Sequence, residues 1–331
     1  MNYIRRKFPW FFPSYNIVLG YLHDCIKFIK FNTNNNYIGN RKKHEAIIIR
    51  VSHGLEKAFS LPTPKKSFGK VSSIQLILEL TKYYEKYGYD NLVKSSIDVL
   101  VHYKEYHIAN KIEHFDDVYS LIDNLIQNIL EYKIEDKKLG GVTKILKQDI
   151  IAINMKIDFE KFFYLRYSIR DFSTENEILD DLIIQATDIA LKTPSACNRQ
   201  AWKVHIFKEE KAKEILQYQN GNGGFAQNIG TVLLITGLIT SFSNAERNQV
   251  FVDGGLFSMS LMLAFHSFSV GTCPLNTAYT VKDEKLLYEK MDIPEDEVPI
   301  MMLAVGHLKK SFLVSNSPRK ISEDILKWHN V

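Results

Sequence analysis

Arg166, Ser168 and Arg170 occupy alternate positions of Arg166-Tyr167-Ser168-Ile169-Arg170-Asp171-Phe172. In an extended segment, residues at i, i+2 and i+4 share a face, so two guanidinium groups and a hydroxyl converge while Tyr167 and Ile169 turn the other way. A guanidinium grips a phosphate through two parallel hydrogen bonds and the hydroxyl adds a donor, which makes the set an anion site. The same residues also fit a solvated basic strand whose arginines pair with Asp171 or Glu175. A second group is Pro194-Ser195-Ala196-Cys197-Asn198-Arg199-Gln200-Ala201-Trp202, which reads as a turn entering a strand. Its Asn198 and Gln200 amides can pair with the edge of a heterocycle or simply satisfy backbone, and the Trp202 indole reads as core.

Other candidates carry less. Cys197 and Cys273 have no His or acid at a nucleophile's spacing and read as inert buried thiols. His53 and Glu56, at i and i+3, suit a metal pair by spacing, but without further ligands nearby they read as a structural hydrogen bond. Gly221-Asn222-Gly223-Gly224 runs on to Ala226 as G-x-G-x-x-A. That loop precedes a strand instead of following one, which excludes a Rossmann reading.

The elements that position these residues differ between the two halves. In the first ~150 residues the pattern is helical: apolar side chains crowd one helix over 74–84 and another over 92–101, and those of 118–129 follow i, i+3, i+4, i+7, i+8, i+11. Gly140-Gly141 and the stretch after it mark the junction. From about residue 155 the texture is mixed, with buried strands at 204–207, 231–236 and 300–306 and a long apolar helix at 255–268. Residues 1–150 are expected to form a helical domain and 155–331 an α+β domain, a sheet covered by helices.

With 331 residues and 45% hydrophobic content the chain can bury ample core. Three scattered cysteines give no disulfide framework or metal spacing, and no apolar run reaches membrane-span length, so a cytoplasmic protein is expected. The net charge of +4 is too small to imply nucleic acid. It is unevenly spread: residues 1–50 hold nine Lys or Arg against two acids. With the aromatic start Phe8-Pro9-Trp10-Phe11-Phe12-Pro13, this segment fits an amphipathic helix resting on the anionic cytoplasmic membrane face, lysines toward lipid phosphates, and equally a helix packed on its own domain.

Taken together, the order of the Arg-x-Ser-x-Arg and Pro-Ser-x-x-Asn-x-Gln motifs, Asp253-Gly254-Gly255 opening a long helix, Gly271-Thr272-Cys273-Pro274-Leu275-Asn276, Val305-Gly306-His307 and Ser317-Pro318-Arg319 resembles the nitroreductase family over about residues 155–331. The resemblance implies an FMN-dependent oxidoreductase that takes hydride from NAD(P)H and passes it to a small organic acceptor, working as a homodimer. It implies cofactor contacts from Arg166, Tyr167, Ser168, Arg170 and Arg319: Arg166, Ser168 and Arg319 on the phosphate and ribityl chain, Arg170 near the pyrimidine end of the ring. Ser195, Ala196 and Asn198 would come from the partner protomer. Pro274, Leu275 and Asn276 would form a turn over one flavin face, with the Asn276 backbone N–H at the hydride-accepting nitrogen and no protein nucleophile. Asn222 is a further loose candidate.

Three positions depart from the family pattern: Ser317 where Lys is common, Ala201 where Pro is usual, and Asn276 where an acid is common. The first bears on phosphate binding and the third on nicotinamide orientation and substrate choice. The helical extension and the lost acid also suit a non-catalytic flavin-binding accessory in an envelope-polysaccharide system.

Overall fold

The structure is a computed structural model that describes residues 11–33, 40–61, 68–112, 115–134, 138–144, 146–148, 156–175, 177–315 and 319–329. Among the described residues five helices come first: α1 (Phe11–Phe31), α2 (Arg41–Phe59), α3 (Lys70–Tyr87), α4 (Asn91–Ala109) and α5 (Asp116–Asn128). Helices α2 to α5 close around one apolar core that includes Ile48, Leu55, Leu76, Leu80, Ile97, Leu100, Val118 and Ile122. These are the i, i+3, i+4 positions of the helical periodicity. Side-chain caps fix two starts: Asn40 accepts from the Lys43 N–H and Asp90 from those of Leu92 and Val93. Gly140-Gly141 is tied back onto this bundle, where buried Asp98 accepts from the Leu139 and Gly140 N–H groups and Glu56 from that of Gly141.

The second half alternates helix and strand: α6 (Phe159–Tyr164), α7 (Asp180–Ala190), β1 (Trp202–Lys208), α8 (Glu209–Leu216), β2 (Thr231–Leu238), α9 (Gln249–Ser267), β3 (Val270–Leu275), α10 (Val281–Met291) and β4 (Glu297–His307). The strands form an antiparallel sheet in the order β1-β2-β4-β3. The fold class is α+β. β2 is buried along its whole length, as expected for an unbroken apolar run with helices on both faces. One face, with Val232, Leu234, Met302 and Ala304, packs on α8 and α10; the other, with Leu233, Ile235, Leu303 and Val305, packs on α7 and α9.

Two sequence expectations change here. Helix α9 begins at Gln249, six residues before the expected start. Its Gly254 lies so close to β4 that a Cβ would come within 2.1 Å of Ile300 Cδ1, which explains why a poor helix former sits inside this helix. The expected turn at 274–276 is largely strand: Pro274 and Leu275 pair with Leu303 and Met302 of β4, and only Asn276 lies beyond.

Helix α1 stands apart from the helical core that precedes the sheet. It packs on α10 and on the turn 239–241, and its Phe28 joins Ala201, Leu238, Phe242 and Val250. Its last turn is pinned when Thr33 donates its N–H to Phe242 O and its hydroxyl to Thr240 O. The expected helix packed on its own domain is therefore corrected: residues 11–31 pack on the second half of the chain and not on the helical core of the first, and residues 1–10 lie outside the described residues. Lys27, Lys30 and Lys42 do not point outward to lipid: they pair with Glu284, Glu295 and Asp296.

Candidate functional site

The segment after α6 runs alongside the free edge of β3. Ser168 bridges Thr272 in parallel register, and the Ile169 N–H donates to Thr272 O at 2.9 Å. The alternation expected from the spacing holds at Ile169, which is buried while Ser168 and Arg170 on either side face a cavity. Gly271 permits this approach, because a Cβ there would sit 3.1 Å from Ile169 Cγ1 and 2.9 Å from Leu308 Cδ2. Phe172, fully buried, locks the segment's far end against β4 through a bridge to Leu308.

The cavity has a volume of about 700 Å³, and Arg166, Ser168, Arg170 and Arg319 line it together with Phe163 and Tyr164. Arg319 comes from a stretch 149 residues after Arg170, so the structure joins the two basic motifs that the sequence holds apart. Tyr167 also lines the cavity and does not turn away as the spacing suggested. The Arg166 Nε is buried and has no hydrogen-bond partner among the described residues. Asp171 does not neutralise these arginines; its partner is Lys309. A buried cationic donor without an acceptor is costly unless an anion completes it. The Glu160 carboxylate is the acid on the rim.

The 194–202 segment is built differently. Three non-glycine residues within four, Cys197, Asn198 and Gln200, have φ near +50°, a conformation that costs energy and persists only when the surroundings enforce it. The enforcement is visible. Arg199 is buried, its guanidinium paired with both oxygens of Glu246 (3.0 and 2.5 Å), its Nε donating to Ala196 O, and its face lying over Phe242. The Arg199 hydrogen bonds hold the Glu246 carboxyl at about 2, against an ordinary 4.5. From α9, Asp253 accepts the Ala196 N–H at 3.1 Å and the Gln249 amide at 2.7 Å. Asn198 stays exposed. Sequence reasoning missed both buttresses: Asp253 was visible only as a motif letter, and Glu246 lies 47 residues from its partner.

Ser195, Ala196 and Asn198 do not line the Arg166 cavity of their own chain, and neither do Pro274, Leu275 and Asn276. Asn276 ends β3 with its amide oxygen accepting the Ala278 N–H and its carbonyl accepting from Gln219. Its side chain thus closes a local turn. Asn222 is likewise spent on structure, donating to Leu216 O and Gln219 O at the end of α8. Trp202 stacks on Phe257 in the core, and burial pushes the Cys273 thiol up, as expected for an inert cysteine. His53 and Glu56 form a 3.7 Å pair within α2. His23, Asp24 and Glu284 cluster within 4.8 Å, but the Lys27 ammonium already occupies Glu284.

An α+β protein with an antiparallel sheet and an arginine-lined anion cradle at the edge of β3 is the class that fold and site define. Residues 165–222, which contain the first two motifs, match the Nitroreductase family. The Bacillus subtilis (strain 168) protein named "Putative NAD(P)H nitroreductase YodC" is 22% identical over 185 residues, 46% of this chain and 90% of its own. Among solved structures, a nitroreductase family protein from Streptococcus pneumoniae TIGR4 is 17% identical with a TM-score of 0.44, covering 52% of this chain and 100% of its own. An FMN-dependent nitroreductase from Clostridium difficile R20291 is 18% identical with a TM-score of 0.43, covering 51% and 98%. The similarity to nitroreductases thus centres on residues 165–222, the segment that holds the first arginine motif and the 194–202 turn.

Proposed function

We propose that the protein is an FMN-dependent oxidoreductase that accepts a hydride from NADH or NADPH and delivers it to a small organic molecule. The observation that carries this reading is the convergence of Arg166, Ser168, Arg170 and Arg319 on one cavity, with the Arg166 Nε buried and unpartnered. These donors fit a phosphate. Arg166 and Arg319 supply charge-assisted hydrogen bonds to it, Ser168 adds a neutral donor, and Arg170 places a further positive charge beside the Cys273 end of β3. FMN, when bound, supplies the hydride chemistry itself, and the protein contributes position, electrostatics and exclusion of water. The tie from Gln219 to Asn276 O keeps the end of β3 in place.

The reading includes a homodimer in which the 195–198 turn serves the partner's cavity. Two features support it: that turn is rigidly presented yet absent from its own chain's cavity, and α9, whose Asp253 holds it, leaves Phe251, Val252 and Leu256 exposed on its outer side. Such an apolar patch is what a subunit interface covers. Helices α2 to α5 are proposed as a helical unit added to the catalytic one and packed against it through α2.

The test is the absorbance spectrum of the purified protein, followed anaerobically after adding NADH or NADPH. A flavin spectrum that bleaches with the donor and returns with an organic acceptor is the expected result. A colourless protein that takes up no FMN on titration overturns the reading. Light scattering checks the dimer, since a monomer that keeps flavin at micromolar concentration is incompatible with shared sites.

A further inference from the structure

Helix α1 is built inside out. At about 100° per residue, His23, Lys27 and Lys30 fall on one side, and the described apolar residues from Tyr15 to Ile29 fall mostly on the other. A surface helix ordinarily turns its apolar side to the protein and its polar side to water. Here the polar side is docked, with Phe28 of the last turns the one apolar residue of the described helix that joins a core cluster. Lys27 donates to Glu284 and Tyr288, His23 lies 3.7 Å from Glu284, and Lys30 reaches Glu295 at 2.6 Å. Tyr15, Val18, Leu19, Leu22, Ile26 and Ile29 face outward, 40–65% exposed, and Ile17 and Tyr21 extend the same surface. No charged side chain falls on this arc. The docking is specific, since Lys27 is largely buried between Glu284 and the Tyr288 ring.

Two features decide what covers the arc. Tyr15, Val18, Leu22, Cys25 and Ile29 are spaced by three and four residues, the seam one helix of a second copy would cover. Over residues 15–22, however, the apolar arc is roughly 200° wide, well beyond such a seam. The chain leading into it reads Arg5-Arg6-Lys7-Phe8-Pro9-Trp10, and no acid occurs before Asp24. A wide apolar arc without charge, entered from a basic and aromatic segment, matches the interface of an anionic bilayer.

We propose that α1 is a peripheral membrane anchor that lies in the plane of an anionic lipid surface, with its outward arc in the acyl–headgroup boundary. Its polar side remains clamped to α10. Asp24, Lys27 and Lys30 in its second half, all turned from the arc, keep it from spanning. The anchor sets the whole protein on the membrane without contributing a residue to the cofactor cradle.

The test uses the full chain, sedimented with vesicles of phosphatidylcholine alone or mixed equally with phosphatidylglycerol. The wild type should pellet with the anionic vesicles, less so at high salt. The double variant Leu22→Asp/Ile26→Asp, which alters exposed side chains only, should lose at least about tenfold in partitioning. Leu313→Asp, at a residue 95% exposed elsewhere, should behave as wild type. Light scattering without vesicles should give the same mass for wild type and double variant. Equal pelleting of the double variant, or no pelleting of the wild type, overturns the anchor. A lower solution mass for the double variant also overturns it, because the arc then joins two copies of the chain. Flavin content is read in parallel and should be the same in all variants, so failure of the anchor is distinct from failure of the cofactor reading.

Discussion

The segments 166–170 and 195–200 both carry motif residues, yet they are held by opposite means. The first is placed by backbone: a bridge to β3, the close approach at Gly271 and the Phe172 plug leave its arginines uncommitted. The second is placed by side chains, with a buried ion pair and an Asp253 tie holding a backbone of positive φ. An arginine in the first segment is available to a ligand, whereas Arg199 in the second is consumed by the fold. Residue type alone does not distinguish them; what fills the guanidinium's donors does.

The sharpest way to break this contrast is at the buried pair. Arg199→Ala or Glu246→Gln removes one partner of an ion pair whose Arg199 side chain is 1% exposed, at a cost of roughly 3–5 kcal/mol, measurable by chemical denaturation. The same pair predicts a pH dependence. Because the folded state holds the Glu246 carboxyl low, at about 2 against 4.5, its stabilisation is complete above about pH 4.5 and is lost as the pH falls toward 2. The Glu246→Gln protein should lack that component of the acid limb. A limb identical in both proteins would remove the buttress from the account of the turn.

At the cradle the expected effect moves from stability to binding. Arg166→Ala or Arg319→Ala removes charge-assisted hydrogen bonds worth roughly 1.5–3 kcal/mol, so FMN affinity should fall about tenfold or more while the denaturation midpoint holds. Titration of FMN into the apo-variants decides it, and unchanged affinity in both ends the phosphate assignment. Gly271→Ala should couple the two readouts: crowding Ile169 and Leu308 costs about 1–3 kcal/mol and loosens the cradle, so stability and FMN binding fall together. The smallest effect belongs to Lys309→Ala, whose pair with Asp171 is 43% and 46% exposed. It should change stability by no more than about 1 kcal/mol and leave FMN binding unaltered.

Much of this arrangement could be read from the sequence, for identifiable reasons. β2 and the 300–305 stretch of β4 are continuous apolar runs whose partners do not matter to their recognition, whereas β1 alternates with Lys203 and His205 and is only partly buried, not the buried strand expected at 204–207. The Arg-x-Ser-x-Arg alternation reached its face because the segment is extended. β3 escaped because Gly271, Thr272, Cys273 and Pro274 have turn composition. Its strand character comes from pairing with β4 at the sheet edge, where a proline is tolerated. Arg199 and Glu246 escaped because no periodicity links them. For α1 the sequence showed two-sidedness, but which side docks was decided by Glu284, Tyr288 and Glu295, more than 250 residues away.

Helix α2 has no side to spare. Ile48 and Leu55 belong to the helical core. Ala46 and Ile47, also buried, lie on the side that meets the turns 196–198 and 239–241, where Lys42 holds Asp296. The two halves of the chain therefore own one helix in common, and neither can melt without stripping the other of a wall. An opening of the helical unit would be felt at the 196–198 turn that α2 meets, where Cys197 and Asn198 hold a backbone of positive φ that relaxes once its supports are gone.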